Sequence, residues 1–410
     1  MRILLTSSAS HRPPRGGSTR SNLAWLDMLQ AQGHVCRVVG GALPSDTPEH
    51  IAQARRELED QRIDRAWLEM HAVADPVTRA ATLANQIREF EPDWVLVSSE
   101  DIGQVLLRAA HKAAPGRVIY LAHTPQFYPF GPASWNPSRD GAELVSRSAA
   151  IIAIAHHTAD YIRRHLGGDA ETIHPPIYGR GPFALYGSFD GGAVTMVNPC
   201  AVKGISIFAA LADRFPALRF AALPGWGTTA EDRQLLAARA NVTMLRNCRD
   251  IDDVLRDTGV LLVPSLWLEG FGLIVVEAML RGIPVMASDS GGLAEAKLGT
   301  PFVIPVRPIE RYEATFDEQG LPRAVVPAQD LEPWIAALTK LSSDPDLYQE
   351  QSRAAREAAA QFVAGLRTDR LEEFLTTLKP AAPVTASNDV LAGLSPERRA
   401  LLLQRLRARQ

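Results

Sequence analysis

Cysteine is scarce in this sequence, and the spacing of the few cysteines excludes some kinds of site. Three cysteines occur among 410 residues, at Cys36, Cys200 and Cys248. They lie far apart in the chain and form no metal-binding or redox motif. This usage of cysteine fits a reducing compartment.

Strong net charge and long apolar runs are also missing. The formal net charge is −3, which gives no support to a bulk nucleic-acid binder. No apolar run reaches the length of a membrane span, and the start, Met1 to Thr6, is too short for the apolar region of a signal peptide. We therefore expect a cytoplasmic protein.

The glycine fingerprint of nicotinamide-dependent dehydrogenases is absent as well. The first predicted strand, Ile3 to Thr6, leads to no Gly-x-Gly-x-x-Gly sequence. That fingerprint would follow the first strand of a dinucleotide-binding domain and open a helix. We therefore reject a dehydrogenase.

Apolar strands that alternate with amphipathic helices are present over most of the length, and a chain this long predicts two domains. The pattern lapses at 175–192, where we place the interdomain linker. The predicted fold class is α/β, with two facing Rossmann-like doubly wound domains and a cleft at the carboxyl ends of their strands. The expected boundaries are 1–185 for the N-terminal domain with a C-terminal helix around 363–378, 190–360 for the C-terminal domain, and 380–410 for a linker and an amphipathic tail helix.

Three stretches are predicted to be long and mainly helical. They are rich in Ala, Arg, Glu and Leu or follow a helical period, and they cover residues 48–90, 329–343 and 346–378.

One stretch in the second half carries the strongest functional signal. An apolar run, Val260 to Val263, predicts a buried strand, and Gly270 and Gly272 then open a helix. Glycines allow close approach of a ligand to the backbone, and the helix N-terminus offers free N–H groups to an anion. Glu269 on the loop and Glu277 two turns into the helix can face the same crevice. This arrangement suits a nucleotide sugar.

These residues resemble the family 4 glycosyltransferases. The resemblance is good over residues 190–300, looser over 1–185, and does not extend to 380–410. It implies a retaining, metal-independent enzyme of the GT-B fold that needs no cofactor besides its sugar donor. The matching motifs are Glu269-x7-Glu277 with Gly270-Phe271-Gly272, Gly282-Ile283-Pro284-Val285, Ser290-Gly291-Gly292-Leu293-Ala294-Glu295, Val202-Lys203-Gly204, Gly16-Gly17 and His123.

The resemblance also implies roles for individual residues. Catalytic roles fall to His123, Lys203 and Glu269, with Lys203 on the phosphates and Glu269 on the donor-sugar hydroxyls. Glu277 would bind the ribose hydroxyls. From the residues alone, each has a structural alternative: a solvated loop lysine, a loop-capping carboxylate or a satisfied loop histidine. The implied donor-binding set is Gly16, Gly17, Asn198, Lys203, Gly270, Phe271, Gly272, Leu273 and Glu277.

Asn198 departs from the family pattern. The family usually has an arginine five positions before the phosphate lysine, and an arginine would grip a diphosphate with full charge. An asparagine offers only a neutral amide, so the charge on the diphosphate must be met mainly by Lys203 and the amides of 270–273. Arg15 or Arg20 of the N-terminal domain is a candidate to compensate.

The acceptor side is predicted less specifically. Phe127 and Tyr128 either line an acceptor pocket or pack the loop after His123. Glu100 and Asp101 follow a predicted strand, where they would face the cleft, but Asp101 could equally cap the next helix. These alternatives stay open at the level of sequence.

The tail at 395–410 has three interpretations. It is a surface or disordered end, a basic amphipathic helix for an anionic membrane surface, or a docking segment for a biosynthetic assembly line. The last rests on a resemblance of residues 394–402 to short segments of nonribosomal peptide synthetases.

Together these features predict a glycosyltransferase that moves a hexosyl unit, with UDP-sugar favoured as donor, to a hydroxyl of a natural product or cell-envelope glycan. Two alternatives remain. One is another GT-B enzyme such as a sugar-nucleotide epimerase. The other is a non-catalytic protein that binds a nucleotide sugar.

Overall fold

A computed structural model describes residues 1–11, 14, 16–41, 68–73, 75–246 and 250–380 of the chain. Within this part, the chain forms two parallel sheets of seven and six strands, both covered by helices, and a separate two-stranded hairpin. The α/β class and the two doubly wound domains predicted from the alternation are therefore confirmed.

The N-terminal sheet has the order β3-β2-β1-β4-β5-β6-β7. Its middle strands are buried on both faces, because each consists almost wholly of apolar residues. The strand order reverses between β1 and β4, which is where α/β sheets bind ligands. The strands are β1 (Arg2–Ser10), β2 (Val35–Gly41), β3 (Glu69–Ala72), β4 (Trp94–Ser98), β5 (Val118–Ala122), β6 (Ala150–Ala153) and β7 (Glu171–Thr172).

The C-terminal sheet repeats this order as β10-β9-β8-β11-β12-β13, with its reversal between β8 and β11. The loops that follow β8 and β11 contain the Lys203 and Glu269 motifs, so the topology alone brings these motifs together. The strands are β8 (Ala193–Val197), β9 (Phe220–Leu223), β10 (Val242–Met244), β11 (Thr258–Val263), β12 (Val285–Ser288) and β13 (Val303–Ile304).

The helices mostly connect successive strands and cover the two faces of each sheet. They are α1 (Gly17–Ala31), α2 (Pro76–Phe90), α3 (Val105–Ala113), α4 (Arg139–Ser146), α5 (His156–Leu166), α6 (Ile205–Arg214), α7 (Ala230–Ala237), α8 (Asp252–Leu255), α9 (Leu273–Leu280), α10 (Leu293–Ala296), α11 (Glu332–Ser343), α12 (Pro345–Ala364) and α13 (Arg370–Thr377).

Two helix predictions need correction. The stretch 48–90 is not helical throughout: part of it lies outside the described residues, and 69–72 form β3, which pairs with β2 at the sheet edge. The helix predicted over 346–378 is two helices, because α12 ends at Gly365 and α13 begins at Arg370. Glycine is a weak helix former, and the composition of the flanking segments concealed the break.

A hairpin that the sequence did not predict lies between β13 and α11. Its strands are β14 (Tyr312–Phe316) and β15 (Pro322–Ala324), which pair antiparallel. Tyr312 packs edge-on against Trp135 of the N-terminal domain, with ring centroids 5.6 Å apart. The hairpin therefore reaches across to the opposite domain.

The last described helix, α13, packs against the N-terminal domain. Its Glu372 accepts from Nε2 of His34 at 2.9 Å, and its Arg370 pairs with Glu171 of β7. The predicted tail helix at 395–410 lies outside the described residues. No helix within the described ranges is both long and apolar enough to cross a membrane.

Glu295 joins the two domains through hydrogen bonds. This residue of α10 accepts from the backbone amides of His156 and His157, at 3.0 Å each, and from Nε2 of His174 at 2.9 Å. The carboxylate thus caps the first turn of α5 from the other domain. Burial alone would raise its pKa, but the hydrogen bonds from His174 and the two amides outweigh burial and lower the pKa below its ordinary value of 4.5.

Glu295→Gln should therefore destabilise the protein in a pH-dependent way. A carboxyl whose folded-state pKa is depressed contributes stability above its unfolded pKa and loses it as the pH falls through the folded value. We expect a loss of about 1.5–3 kcal/mol near neutral pH, the range for hydrogen bonds to charged groups. Scanning calorimetry should show the difference from wild type shrinking between about pH 5 and pH 3. Exposed Glu350→Gln on α12 is the control, and a difference independent of pH would contradict this role.

Candidate functional site

Close backbone contacts assemble the C-terminal half of the site. Gly204, with φ of 81°, lies so near Pro264 that an added Cβ would stand 2.0 Å from the proline carbonyl oxygen. Gly291, with φ of 66°, approaches Glu269 in the same way, at 2.3 Å from its backbone nitrogen. Only glycine allows both the left-handed backbone and this approach. These two glycines therefore allow the Lys203 loop and the 290–292 loop to pack directly against the Glu269 loop.

Lys203 and Glu269 form a half-buried ion pair at the centre of this half-site. Nζ of Lys203 donates to Oε1 of Glu269 at 2.5 Å, and the hydroxyl of Ser265 donates to the same oxygen. The ammonium also lies 4.5 Å from the ring centroid of Trp267, within cation–π range. The side chains of Lys203 and Glu269 are only 17% and 12% exposed, so their charges act in a poorly solvated space.

The N-terminus of α9 faces the same space. Gly272, with φ of 108°, precedes the helix, and an added Cβ there would stand 2.6 Å from the Leu293 side chain. Leu273 begins the helix, so its free amide and that of Phe271 offer donors to an anion. The Phe271 side chain instead stacks on Phe362 in the core, with ring centroids 5.7 Å apart. Only the backbone of Phe271 is available to a ligand.

The N-terminal domain supplies the opposite wall. Gly16 and Gly17 start α1, and a Cβ added to Gly17 would stand 3.0 Å from a methyl carbon of Leu273. His123 follows β5, and its carbonyl oxygen would lie 2.0 Å from a Cβ added to Gly270. The structure therefore brings Gly17 and His123 against the Gly270–Leu273 loop, while Gly16 lies beside Trp226 of the same opposite domain.

Glu277 is buried, and an arginine of the opposite domain meets it. Nη2 of Arg20 donates to Oε1 of Glu277 at 2.6 Å, and Nη1 lies 3.5 Å from Oε2. The side chain of Glu277 is 6% exposed and that of Arg20 is 41% exposed. The Glu277 carboxylate raises the pKa of Arg20, which keeps the guanidinium charged. Arg20 thus brings a positive charge into the cleft; Arg15 lies outside the described residues.

Asn198 is held in a constrained conformation directly after β8. Its φ is 58°, and its Oδ1 accepts from the amide of Gly227 at 2.9 Å. Its Nδ2 is buried and has no hydrogen-bond partner in the described structure. Asn198 therefore offers a neutral N–H donor at the position where the family pattern has a charged arginine.

Two predicted acceptor residues have different surroundings. Phe127 packs edge-on against Trp135 and Trp267 at the cleft, with ring centroids 5.4 and 6.2 Å apart. Tyr128 is fully buried in the N-terminal core against Tyr120. The prediction that Tyr128 lines an acceptor pocket is therefore not supported by its position, because its ring is enclosed by the core.

Glu100 and Asp101 make different contacts in the structure. Asp101 accepts from the amides of Val105 and Leu107, so it caps α3 as the structural alternative predicted. Glu100 accepts from the hydroxyls of Ser7 and Ser98 at 3.1 Å each, and burial raises its pKa to about 7.

Sequence reasoning missed several polar and aromatic residues of the site. Trp226 and Trp267 stack beside Lys203, with ring centroids 5.5 Å apart. Asn22 contacts His123 from α1. In the sequence, Asn22 is distinguished only as a polar residue on the first helix after the glycine loop, which is a weak indication of a site residue.

Two family models match different parts of the chain. Residues 15–177 match "Glycosyltransferase Family 4", and residues 229–358 match "Glycosyl transferases group 1". The two matches fall on the N-terminal and C-terminal sheets respectively. They include Gly16, Gly17 and His123 in the first part and Glu269 and Glu277 in the second.

Curated relatives match over shorter stretches. A D-inositol 3-phosphate glycosyltransferase of Streptomyces bingchenggensis is 28% identical over 256 residues, covering 54% of this chain and 51% of that protein. A protein of the same name from Saccharomonospora viridis is 36% identical over 124 residues, covering 30% of this chain and 24% of that protein. The matches thus span about half or less of the length of these relatives.

A solved structure matches nearly the whole chain. The Anabaena protein HepE in complex with UDP and glucose superposes with a TM-score of 0.64 at 18% identity, covering 92% of this chain and 100% of that one. This likeness shows the fold, which is GT-B.

The contact between Gly270 and His123 should limit how closely the two domains pack. Gly270→Ala would place a methyl carbon 2.0 Å from the His123 carbonyl oxygen and 3.0 Å from Ile154, so the loop or the domain must shift. We expect a loss of stability of about 1–3 kcal/mol, as for other overpacked sites. Thermal unfolding and the radius of gyration from X-ray scattering measure the effect.

Gly168→Ala is the matched control, since no atom lies within 4 Å of its added Cβ. Equal unfolding temperatures for the two variants would contradict the contact.

Proposed function

Because the chain belongs to the family 4 glycosyltransferases, we propose that it moves a hexosyl unit from a UDP-sugar to an acceptor hydroxyl with retention at the anomeric carbon. The observation that carries the proposal is the two-sided cleft, in which Lys203, Glu269 and the N-terminus of α9 face Gly16, Gly17 and His123. Cationic and amide donors suit a diphosphate, and the carboxylates of Glu269 and Glu277 suit sugar and ribose hydroxyls.

The choice of UDP draws on HepE, whose structure was solved with UDP and glucose. That structure shares the fold over 92% of this chain. The relatives named D-inositol 3-phosphate glycosyltransferase support transfer to a hydroxyl of a small polar acceptor. The acceptor enters beside Phe127 in this proposal.

The proposed reaction is a front-face displacement. The bond between the anomeric carbon and the diphosphate oxygen breaks, and the acceptor oxygen bonds to the same face of that carbon. The acceptor proton passes to the departing diphosphate, on which negative charge develops. Lys203 and the amides at the start of α9 stabilise this charge, because they are fixed donors in a space of low solvation. Arg20 adds a second cationic group, and no metal ion is required in this scheme.

Domain contact excludes water from the reacting centre. The near-complete burial of His123 and Gly270 supports a sugar site that is shielded by the interdomain contact. Exclusion of water protects a reactive sugar donor from hydrolysis.

A thermal-shift panel of nucleotide sugars, followed by product analysis, tests the function. A donor that binds only the folded state should stabilise it by about 2.7 kcal/mol at one hundred times its dissociation constant. We expect a UDP-sugar to raise the unfolding temperature most, and turnover with it to persist in EDTA.

The alternatives give other results. Stabilisation without transfer to any acceptor would indicate a binding protein, and a sugar-nucleotide epimer as product would indicate an epimerase. Loss of turnover in EDTA would overturn the metal-independent scheme.

Lys203→Ala should lower turnover by on the order of a hundredfold, the effect of removing one donor to developing charge. The variant also leaves the Glu269 carboxylate without its ion-pair partner, so its fold must be checked by circular dichroism. Exposed Lys340→Ala on α11 is the control. Turnover near that of wild type in a folded Lys203→Ala protein would remove Lys203 from the mechanism.

A further inference from the structure

Three polar side chains lie in a buried row behind the cleft, each in hydrogen-bonding contact with the next. Nε2 of His123 lies 2.9 Å from Oδ1 of Asn22, and Nδ2 of Asn22 lies 3.5 Å from Nε2 of His11. None of the three side chains is appreciably exposed. Trp25 packs beside His123 with ring centroids 5.9 Å apart. The indole ring shields this row of side chains from solvent on that side.

Both histidines are neutral at ordinary pH. Burial lowers the pKa of His123 to about 3 and that of His11 to about 4. Protonated His11 would oppose a charge on His123 and so lowers the pKa of His123 further. A neutral imidazole carries a single N–H, so each ring is a donor at one nitrogen and an acceptor at the other.

The amide of Asn22 determines which nitrogen of each histidine carries the proton. Its Oδ1 only accepts, so His123 must carry its proton on Nε2; its Nδ2 only donates, so Nε2 of His11 must be an acceptor. The proton of His11 is then on Nδ1. This Nδ1 is buried and has no hydrogen-bond partner in the described structure.

The contact lengths fit this amide orientation. The 2.9 Å between Nε2 of His123 and Oδ1 of Asn22 is the usual length of an N–H···O hydrogen bond. With the amide turned the other way, the N–H···O contact would be the one of 3.5 Å to His11, which is long for such a bond.

With these proton positions, Nδ1 of His123 carries no proton and can only accept a hydrogen bond. This atom is buried and has no hydrogen-bond partner in the described structure. An unpaired buried acceptor is unfavourable, so a ligand that donated a hydrogen bond to it would gain from the contact. The backbone of His123 contacts Gly270, so this residue lies at the contact between the two halves of the cleft.

We propose that Asn22 is a positioning residue that holds His123 in the Nε2–H tautomer, so that its Nδ1 accepts a hydrogen bond from a hydroxyl of the sugar being transferred. This inference rests on the proposed function for the identity of the ligand. The tautomer itself can be tested without turnover.

The first test is a nitrogen-15 spectrum of the histidine-labelled full chain, with His123→Gln to assign the signal. We expect the wild-type ring to show a protonated Nε2 and an unprotonated Nδ1. Addition of a UDP-sugar should move the Nδ1 resonance in the direction of an accepted hydrogen bond, whereas UDP alone should not. A protonated Nδ1 in the wild type, or equal effects of UDP and UDP-sugar, would overturn the proposal.

The second test replaces Asn22 by aspartate. A carboxylate in place of the amide oxygen should raise the pKa of His123 by more than one unit and protonate Nδ1 at low pH. The pH profile of kcat/KM for Asn22→Asp should therefore gain an ionisation that wild type lacks, with activity recovering as the pH rises and His123 loses its proton.

Asn22→Leu removes the amide without adding charge and should lose at least tenfold in kcat/KM without the new ionisation. Exposed Asn85→Asp on α2 controls for a general effect of added charge. A profile of Asn22→Asp that superimposes on wild type would overturn the positioning role. Absence of turnover in the wild type would count against the proposed function, while the spectrum would still decide the tautomer.

Discussion

Contact at two glycines, Gly17 and Gly270, governs the geometry of the cleft. Gly270 lies against the carbonyl of His123, and Gly17 lies against the side chain of Leu273, so the two domains approach closely at the carboxyl ends of their strands. A larger residue at Gly270 would hold these ends apart by the thickness of a methyl group. The burial of His123 and the positions of Arg20 and Glu277 all follow from this approach, since α1 and α9 start at the contact and Arg20 of the first helix reaches Glu277 of the second.

That approach brings four charged groups into a space with little solvent. Each positive group finds a carboxylate: Lys203 meets Glu269 within the C-terminal domain, and Arg20 meets Glu277 across the cleft. Buried charges are expensive unless they are paired, so the pairs explain how the site can be assembled at all. Both carboxylates retain lone pairs for hydroxyl groups, and both cations retain N–H donors for a diphosphate. Pairing and ligand binding are therefore compatible.

Much of the fold followed from the sequence because hydrophobic period and strand–helix alternation are local signals. They predicted two doubly wound domains, and the strand-end motifs then converge by topology. The errors have physical reasons. Residues 69–72 form an edge strand of mixed polarity, residues 312–324 form a hairpin with little apolar character, and Gly365 interrupts a helix-rich composition. Tyr128 looked like a cleft aromatic because β5 ends nearby, but its ring turns into the core.

The parts of the site that sequence could not predict are contacts between distant residues. Nothing local relates Arg20 to Glu277, or Asn22 to His123, since each pair is separated by about a hundred residues or more and joined only by the fold. The second pair also changes the chemistry. A histidine at a strand end suggests a proton carrier, yet burial and the Asn22 amide make His123 neutral and fix which nitrogen has the proton. A ring that does not titrate near neutral pH recognises hydroxyl groups instead of exchanging protons, which agrees with a reaction in which the leaving diphosphate takes the acceptor proton.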